Sequence, residues 1–260
     1  MDTAKWAKRS ASILGLLGVW FVVGALGPQT LPGPAAVAGA FVGYVGSPVY
    51  WNAITLSTLR VLGAFTIAAL IGVPLGLLIG WSVVFGDFTY PALELVRPIP
   101  PIAWIPFTIL VLPSLAFSLG IASFEIDTGI VFITFLGAFF PILLNAIAGV
   151  RSIDDEYSRA AQSLGAADWQ TFRHVIYPGA LPSVHTGMVV GMGLAWVNLV
   201  AAEMISGGGL GFMTWSAYTG GSYPVIFVGM ITIGILGYVS STIVRYIGAS
   251  QLPWMEGSTA

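Results

Sequence analysis

The chain has 260 residues, 57% of them hydrophobic and only 8% charged, with a formal net charge of −2 at pH 7. A soluble domain of this length carries about 25% charged residues, so the composition excludes a globule with water on all sides, and the near-neutral balance points to no nucleic-acid partner. No cysteine and two separated histidines, His174 and His185, exclude a disulfide framework and a thiolate nucleophile, and argue against any metal site.

Apolar runs of about 20 residues recur, each enough to cross a hydrocarbon core of roughly 30 Å as a helix. The alternating ten-residue segments of a membrane barrel are absent. The reading is an all-α integral membrane protein with about six transmembrane helices, at 11–27, 58–82, 98–114, 128–150, 183–205 and 225–248.

The N-terminus "MDTAKWAKRSASILGLLGVWFVVGAL" has the basic start and apolar run of a signal peptide but no clear small-residue cleavage site before Pro28, so it reads as a retained first helix. "LPGPAAVAGAFVGYVGSPVYWNA", broken by Pro and Gly, suits an interfacial helix better than a crossing. Residues 1–57 are thus the first helix and interfacial segment, 58–248 the core with a polar loop at 151–182, and 249–260 a short tail. Span two carries Gly72, Gly76 and Gly80 four apart, and span five Gly187 and Gly191, spacings that let helix backbones approach closely in lipid. Span three opens with "RPIPPIAWIP", whose Pro98, Pro100, Pro101 and Pro106 remove amide donors. Irregular backbone at that depth is tolerated where it is buried in protein or lines a path. Before Asp127, "SLAFSLGIASFEID" reads as a short segment at the surface opposite the polar loop.

Between Arg151 and Arg173 stand seven of the 20 charges of the chain. There "EYSRAAQSL" reads as a short helix ended by Gly165 in a left-handed cap. Asp168 caps a second, "WQTFRHVIY", and Pro178 and Pro182 bend the chain back toward span five. Lys5, Lys8, Arg9, Arg97, Arg151, Arg159, Arg173 and Arg245 fall on one side of six crossings, which is the cytoplasmic side. Both termini and the polar loop therefore face the cytoplasm.

Two charges, Arg60 and Glu203, fall within the membrane near the outer ends of spans two and five, where charge is costly. Arg60 is either an attractive point for an inward-moving anion, or half of a structural ion pair with Glu203, or an interfacial snorkel. The loop "SGGGLGFMTW", with Gly208 at the centre of its glycine run, reads as an outer gate, a docking point or a plain external loop. Trp104 and Trp196 line a pathway or pack as ordinary aromatic residues. The only lysines are Lys5 and Lys8 and no G-x-x-x-x-G-K-[ST] occurs, so the chain hydrolyses no ATP by a P-loop and is not itself an enzyme. A secondary transporter or channel, the alternative, is expected to show coupling-ion carboxylates in the spans or an internal repeat.

The polar loop resembles the cytoplasmic signature of the permease subunits of bacterial ABC importers: Glu-Ala-Ala, three residues, Gly, nine residues, Ile-x-Leu-Pro. The match falls at Ala160, Ala161, Gly165 and Pro178, with Arg159 in place of Glu and Val175 and Tyr177 in place of Ile and Leu. "SRAAQSLGAADWQTFRHVIYPGALPSV", "LRVLGAFTIAALIGVPLGLLIG", "ELVRPIPPIAWIPFTIL" and "LAWVNLVAAEMISGGGLGF" resemble the nitrate, sulfonate, taurine and bicarbonate group over most of residues 55–215. Trp215, Tyr218 and the region "LAFSLGIASFEIDTGIVF" look closer to its nitrate and bicarbonate branch.

The resemblance implies a type I importer permease fold in a prokaryotic cytoplasmic membrane, with two permease copies forming the pathway as a homodimer. It further implies two cytoplasmic ABC ATPase subunits that hold ATP and Mg, and an external binding protein that delivers nitrate, bicarbonate, cyanate or a sulfonate such as taurine. It makes Arg159, Ala160, Ala161, Gly165, Asp168 and Pro178 the ATPase-coupling residues, and Arg60, Trp104, Trp196, Glu203 and Gly208 candidates for the substrate pathway. Arg159 is expected to face the ATPase or to pair with a carboxylate such as Asp155.

Overall fold

The computed structural model describes residues 3–27, 30–118 and 127–250, and every regular element among them is helical. Most of "SLAFSLGIASFEID" and nearly all of the 249–260 tail lie outside the described residues.

Helix α1 (Thr3–Leu26) is followed by α2 (Pro34–Val45), with Pro34 in its first turn. α3 (Pro48–Trp81) is 34 residues long and starts ten residues before the predicted span. The reason is local: Ser47 Oγ accepts the Val49 N–H at 3.3 Å, and Pro48 presets the first turn. The boundary expected at 57/58 therefore falls inside a continuous helix.

α4 (Val83–Val96), which hydropathy did not suggest because Asp87, Pro91 and Glu94 interrupt its apolar run, is capped by Ser82 Oγ accepting the Phe85 N–H. It turns by 81° into a second arm made of a 3₁₀ turn (Pro101–Trp104) and α5 (Ile105–Ser118). The break sits at Pro98, Pro100 and Pro101, as the missing donors require. α6 (Thr128–Arg151) is capped by Asp127, whose carboxylate accepts the Gly129 and Ile130 N–H groups.

A polar segment follows: α7 (Asp155–Ser163), a single turn α8 (Asp168–Thr171) and a π-turn (Phe172–Ile176) leading into α9 (Tyr177–Glu203). The expected bend at Pro178 and Pro182 does not form, and Asp168–Glu203 is one 36-residue helix. A π-turn just ahead of Pro178 displaces the carbonyl its ring would otherwise strike, so the helix passes through. α10 (Leu210–Thr219) and α11 (Tyr223–Ser250) complete the described chain.

Four helices, α3, α6, α8 through α9, and α11, are long and apolar enough to cross a membrane, and the bent α4–α5 pair makes a fifth if it counts as one span. The six predicted spans each fall on a helix, α1, α3, α5, α6, α9 and α11.

The core is a close-packed layer of α3, α6 and α9. A Cβ at Gly76 would sit 2.6 Å from both Ala146 Cβ and Leu143 O, and one at Gly80 2.7 Å from Val150 Cβ, so α3 runs parallel to α6 in direct backbone contact. A Cβ at Gly187 would lie 2.6 Å from Asn145 Cβ and one at Gly191 3.0 Å from Ala138 O, so α9 runs antiparallel on the other side of α6. The glycine spacings read from the sequence are these two contacts. With no hydrophobic drive between helices in lipid, such proximity is what holds them. α11 is tied on by Thr232 Oγ1, 2.8 Å from Tyr50 OH, and by Ser240 Oγ, which accepts the Trp196 indole N–H at 2.9 Å.

Candidate functional site

The polar segment is built to present side chains rather than to bury them. Asp155 and Glu156 occupy the first turn of α7, where carboxylates oppose the helix dipole favourably. Gly165 ends it at φ +88°, with the Ala166 N–H reaching back to Ala161 O at 3.1 Å, the left-handed cap the sequence predicts. Asp168 does not cap the next turn: Ala167 does, its N–H donating to Gln170 Oε1 at 2.8 Å. A side chain one position later cannot reach back to the free amides, so Asp168 instead accepts from Gln162 Nε2 at 3.5 Å and joins the two short helices.

Arg159, Ala160 and Gly165 are exposed, Ala161 and Pro178 half-buried. Among the described residues Arg159 forms no ion pair with Asp155. Sequence reasoning missed the apolar partners of these residues. Leu164 is 90% and Trp169 61% exposed on a segment otherwise rich in charge, with Tyr157 beside them. Large apolar side chains inside a charged run were the available signal. Trp169 stacks on Phe172 at 5.5 Å and Phe172 lies 4.8 Å from Trp81, so an aromatic column links the segment to the end of α3.

At the other end of the bundle the two membrane charges meet. Arg60 Nη1 donates to Glu203 Oε1 at 2.9 Å, with exposures of 5% and 0%. The carboxylate also accepts the Ser57 hydroxyl, 2.8 Å from Oε2, and the Gly211 N–H at 3.0 Å. Ser57 Oγ in turn accepts the Leu210 N–H, and Arg60 Nη1 donates to Gly208 O at 3.1 Å. Gly209, at φ +99°, lies so close to Glu203 that a Cβ there would overlap the carboxyl group. The glycine run is therefore wrapped over a buried ion pair, which fixes the loop between α9 and α10. The outer face of that loop lines an open recess of about 440 Å³ with Asn52, Leu56 and Ser216.

The remaining candidates are not brought together. Trp196 is buried and bonds Ser240, a packing position between α9 and α11. Trp104 packs edge-on against Phe107 and Phe132 at 5.5 and 6.1 Å, beside α6.

An all-helical bundle with glycine-packed crossings and an exposed polar segment between two of them defines a multi-pass membrane protein. Residues 72–256 match the family of binding-protein-dependent transport system inner membrane components. The chain belongs to that family, and it is a multi-pass inner-membrane ABC permease. It is 34% identical over 248 residues to the taurine transport system permease protein of Escherichia coli, covering 92% of this chain and 86% of that one. It is 29% identical over 259 residues to the nitrate import permease protein of Synechocystis, covering 96% and 90%. The bicarbonate transport system permease protein of Synechococcus elongatus is 30% identical over 251 residues, covering 91% and 86%.

Proposed function

We propose that this chain is the non-catalytic, membrane-spanning subunit of an ATP-driven importer that moves a small anion delivered by an external binding protein. Two copies form the pathway, and the polar segment of each docks on an ABC ATPase subunit in the cytoplasm, where both termini lie. The observation that carries this reading is the exposure of Leu164 and Trp169 on either side of Gly165. Large exposed apolar side chains beside small ones are what a partner's groove buries at the centre of an interface.

The arrangement supports a mechanism. A helix of 36 residues from Asp168 to Glu203 is about 54 Å long at 1.5 Å per residue, well beyond a roughly 30 Å core. Its cytoplasmic end carries Trp169 and its far end Glu203, bonded to the loop over the recess. A displacement of the docked segment on ATP binding is thereby carried to the opposite mouth as a rigid-body shift, a change between two packed states.

That the cargo carries an oxyanion group rests on the relatives, whose names specify nitrate, bicarbonate and taurine, the last a sulfonate that also bears an ammonium group. The test is co-expression with a candidate ABC ATPase and external binding protein from the same organism, followed by reconstitution. The expected result is a complex with ATP-dependent uptake of at least one of these anions. A chain that purifies alone and stimulates no hydrolysis would sink the proposal.

A further inference from the structure

The cation that the sequence suggested as an anion contact, Arg60, is neutralised by Glu203 and buried. A second arginine within the bundle is not. α5 lies along α6, while α4, bent 81° from it, packs on α3 and meets α6 through side chains; four contacts set their levels. Arg151, ending α6, stands 5.5 Å over the Tyr90 ring. Leu93, Glu94 and Arg97 line a small recess with Phe140, Leu143 and Leu144. Trp104 and Phe107 meet Phe132 at 6.1 and 6.4 Å. Thr108 abuts Gly129 at the far end, 3.1 Å from where a Cβ would stand.

At 1.5 Å per residue, the Phe140–Leu144 level lies about 10–16 Å along α6 from Arg151. That is close to the midplane of a roughly 30 Å hydrocarbon core. Arg97 is therefore deep in the span rather than at its cytoplasmic end, where counting charges along the sequence puts it.

Two features coincide at this level. Arg97 is exposed on the described chain and makes no ion pair, not even with Glu94 one turn earlier. The backbone beside it is broken at Pro98, Pro100 and Pro101, with residues 97–100 all exposed. A bare guanidinium is costly against lipid, and irregular backbone is tolerated at depth only where it is buried in protein or lines a wet cavity. Each feature alone counts against a lipid-facing surface, and they fall on consecutive residues.

We propose that Arg97, at the break between α4 and α5, faces the aqueous pathway and is the cation that a transported small oxyanion meets inside the membrane. This rests on the importer reading above and adds the residue that selects for negative charge. Glu94 in the same recess tempers the attraction, as passage requires, since an anion held too tightly would not leave. The proposal also accounts for an arginine there: a planar fork of donors matches nitrate, bicarbonate and sulfonate oxygens alike.

The test has two arms on the reconstituted complex with its ATPases and binding protein. Because the chain has no cysteine, Arg97→Cys introduces a single reactive position. Its thiol is expected to react with an anionic, membrane-impermeant methanethiosulfonate in at least one nucleotide state. Reaction only with a neutral, membrane-permeant reagent would place the residue against lipid, its partner a headgroup phosphate, and would overturn the proposal. So would no reaction in any state, the sign of a side chain buried against a second copy.

In the second arm, with nitrate, bicarbonate and taurine as probes, Arg97→Gln is expected to lower ATP-dependent uptake about tenfold or more, the loss of a charge-assisted hydrogen bond. Arg97→Lys should retain most of it, with ATPase binding unchanged in both. Normal uptake by Arg97→Gln would refute the anion contact. A wild-type complex that hydrolyses ATP but moves none of the three anions would refute the anion reading and this contact with it, while the thiol reactivity still decides whether position 97 faces water.

Discussion

Gly165 and Gly209 have nearly the same backbone, φ +88° and +99°, and opposite surroundings. Around Gly165 a Cβ would meet nothing within 4 Å, whereas at Gly209 it would overlap the Glu203 carboxyl group. The same contrast holds for the two charged regions they belong to. At the Gly209 end, Arg60, Glu203, Ser57 and the loop amides bond one another within the chain, leaving only the Arg60 Nε of that cluster without a partner among the described residues. At the Gly165 end, Arg159 is left open and Trp169 and Leu164 are bare. Polar groups withdrawn from water must find partners in the chain that carries them. Polar and apolar groups left in water are free to find them elsewhere, so the first region holds this protein together and the second is left open, as the proposed docking requires.

The contrast can be broken most directly at Glu203. Glu203→Ala strands a buried guanidinium, and the expected loss is about 3–5 kcal/mol, read as a fall in thermal midpoint or yield of the detergent-solubilised protein. A fully stable variant would mean that the cluster is not structural. Next in size is Gly209→Ala, where left-handed strain of about 1–2 kcal/mol adds to overpacking of about 1–3 kcal/mol. Gly165→Ala meets only the strain, so the same melting measurement should separate the two glycines, and equal losses would erase the comparison.

Trp169→Ala should weaken ATPase binding by about 2 kcal/mol, the scale of an aromatic interface anchor. It should leave the melting of the isolated chain within about 0.5 kcal/mol, as for surface substitutions. Titration of the ATPase onto the immobilised permease measures the first quantity. The smallest effect is expected for Arg159→Glu, an exposed charge worth about 1 kcal/mol or less. The change in ATPase affinity should shrink as salt is raised, and no salt dependence would mean that the sign of the charge at this position is immaterial.

The sequence made the polar segment legible because its signals are local. A left-handed cap needs glycine at one position, and Gly165 occupies it. The helix contacts were legible for a similar reason, since glycines four apart leave a flat stripe, and both stripes lie on α6. Asp168 was misplaced as a cap because the choice between Ala167 and Asp168 depends on where Gln170 reaches, one residue's difference in register. The bend expected at Pro178 failed because a π-turn, which leaves no compositional mark, relieves the clash beforehand. α4 was invisible because two acids and a proline mask a helix that is bent 81° from its continuation.

Composition and periodicity by themselves determined that this chain lives in a bilayer as helices, because a backbone in lipid has no other way to satisfy its own amides. The spacing in the polar segment determined a short helix ended by a left-handed glycine cap at Gly165. Only the tertiary structure decided what the charges do. Arg60 and Glu203 are 143 residues apart, and no local rule pairs them. Arg97 reads as an interfacial residue until the course of α4 brings it into one recess with Phe140, Leu143 and Leu144 of α6, toward the midplane. Depth and partnership are properties of how helices cross, and a side chain's charge acquires a role only once that crossing sets what surrounds it.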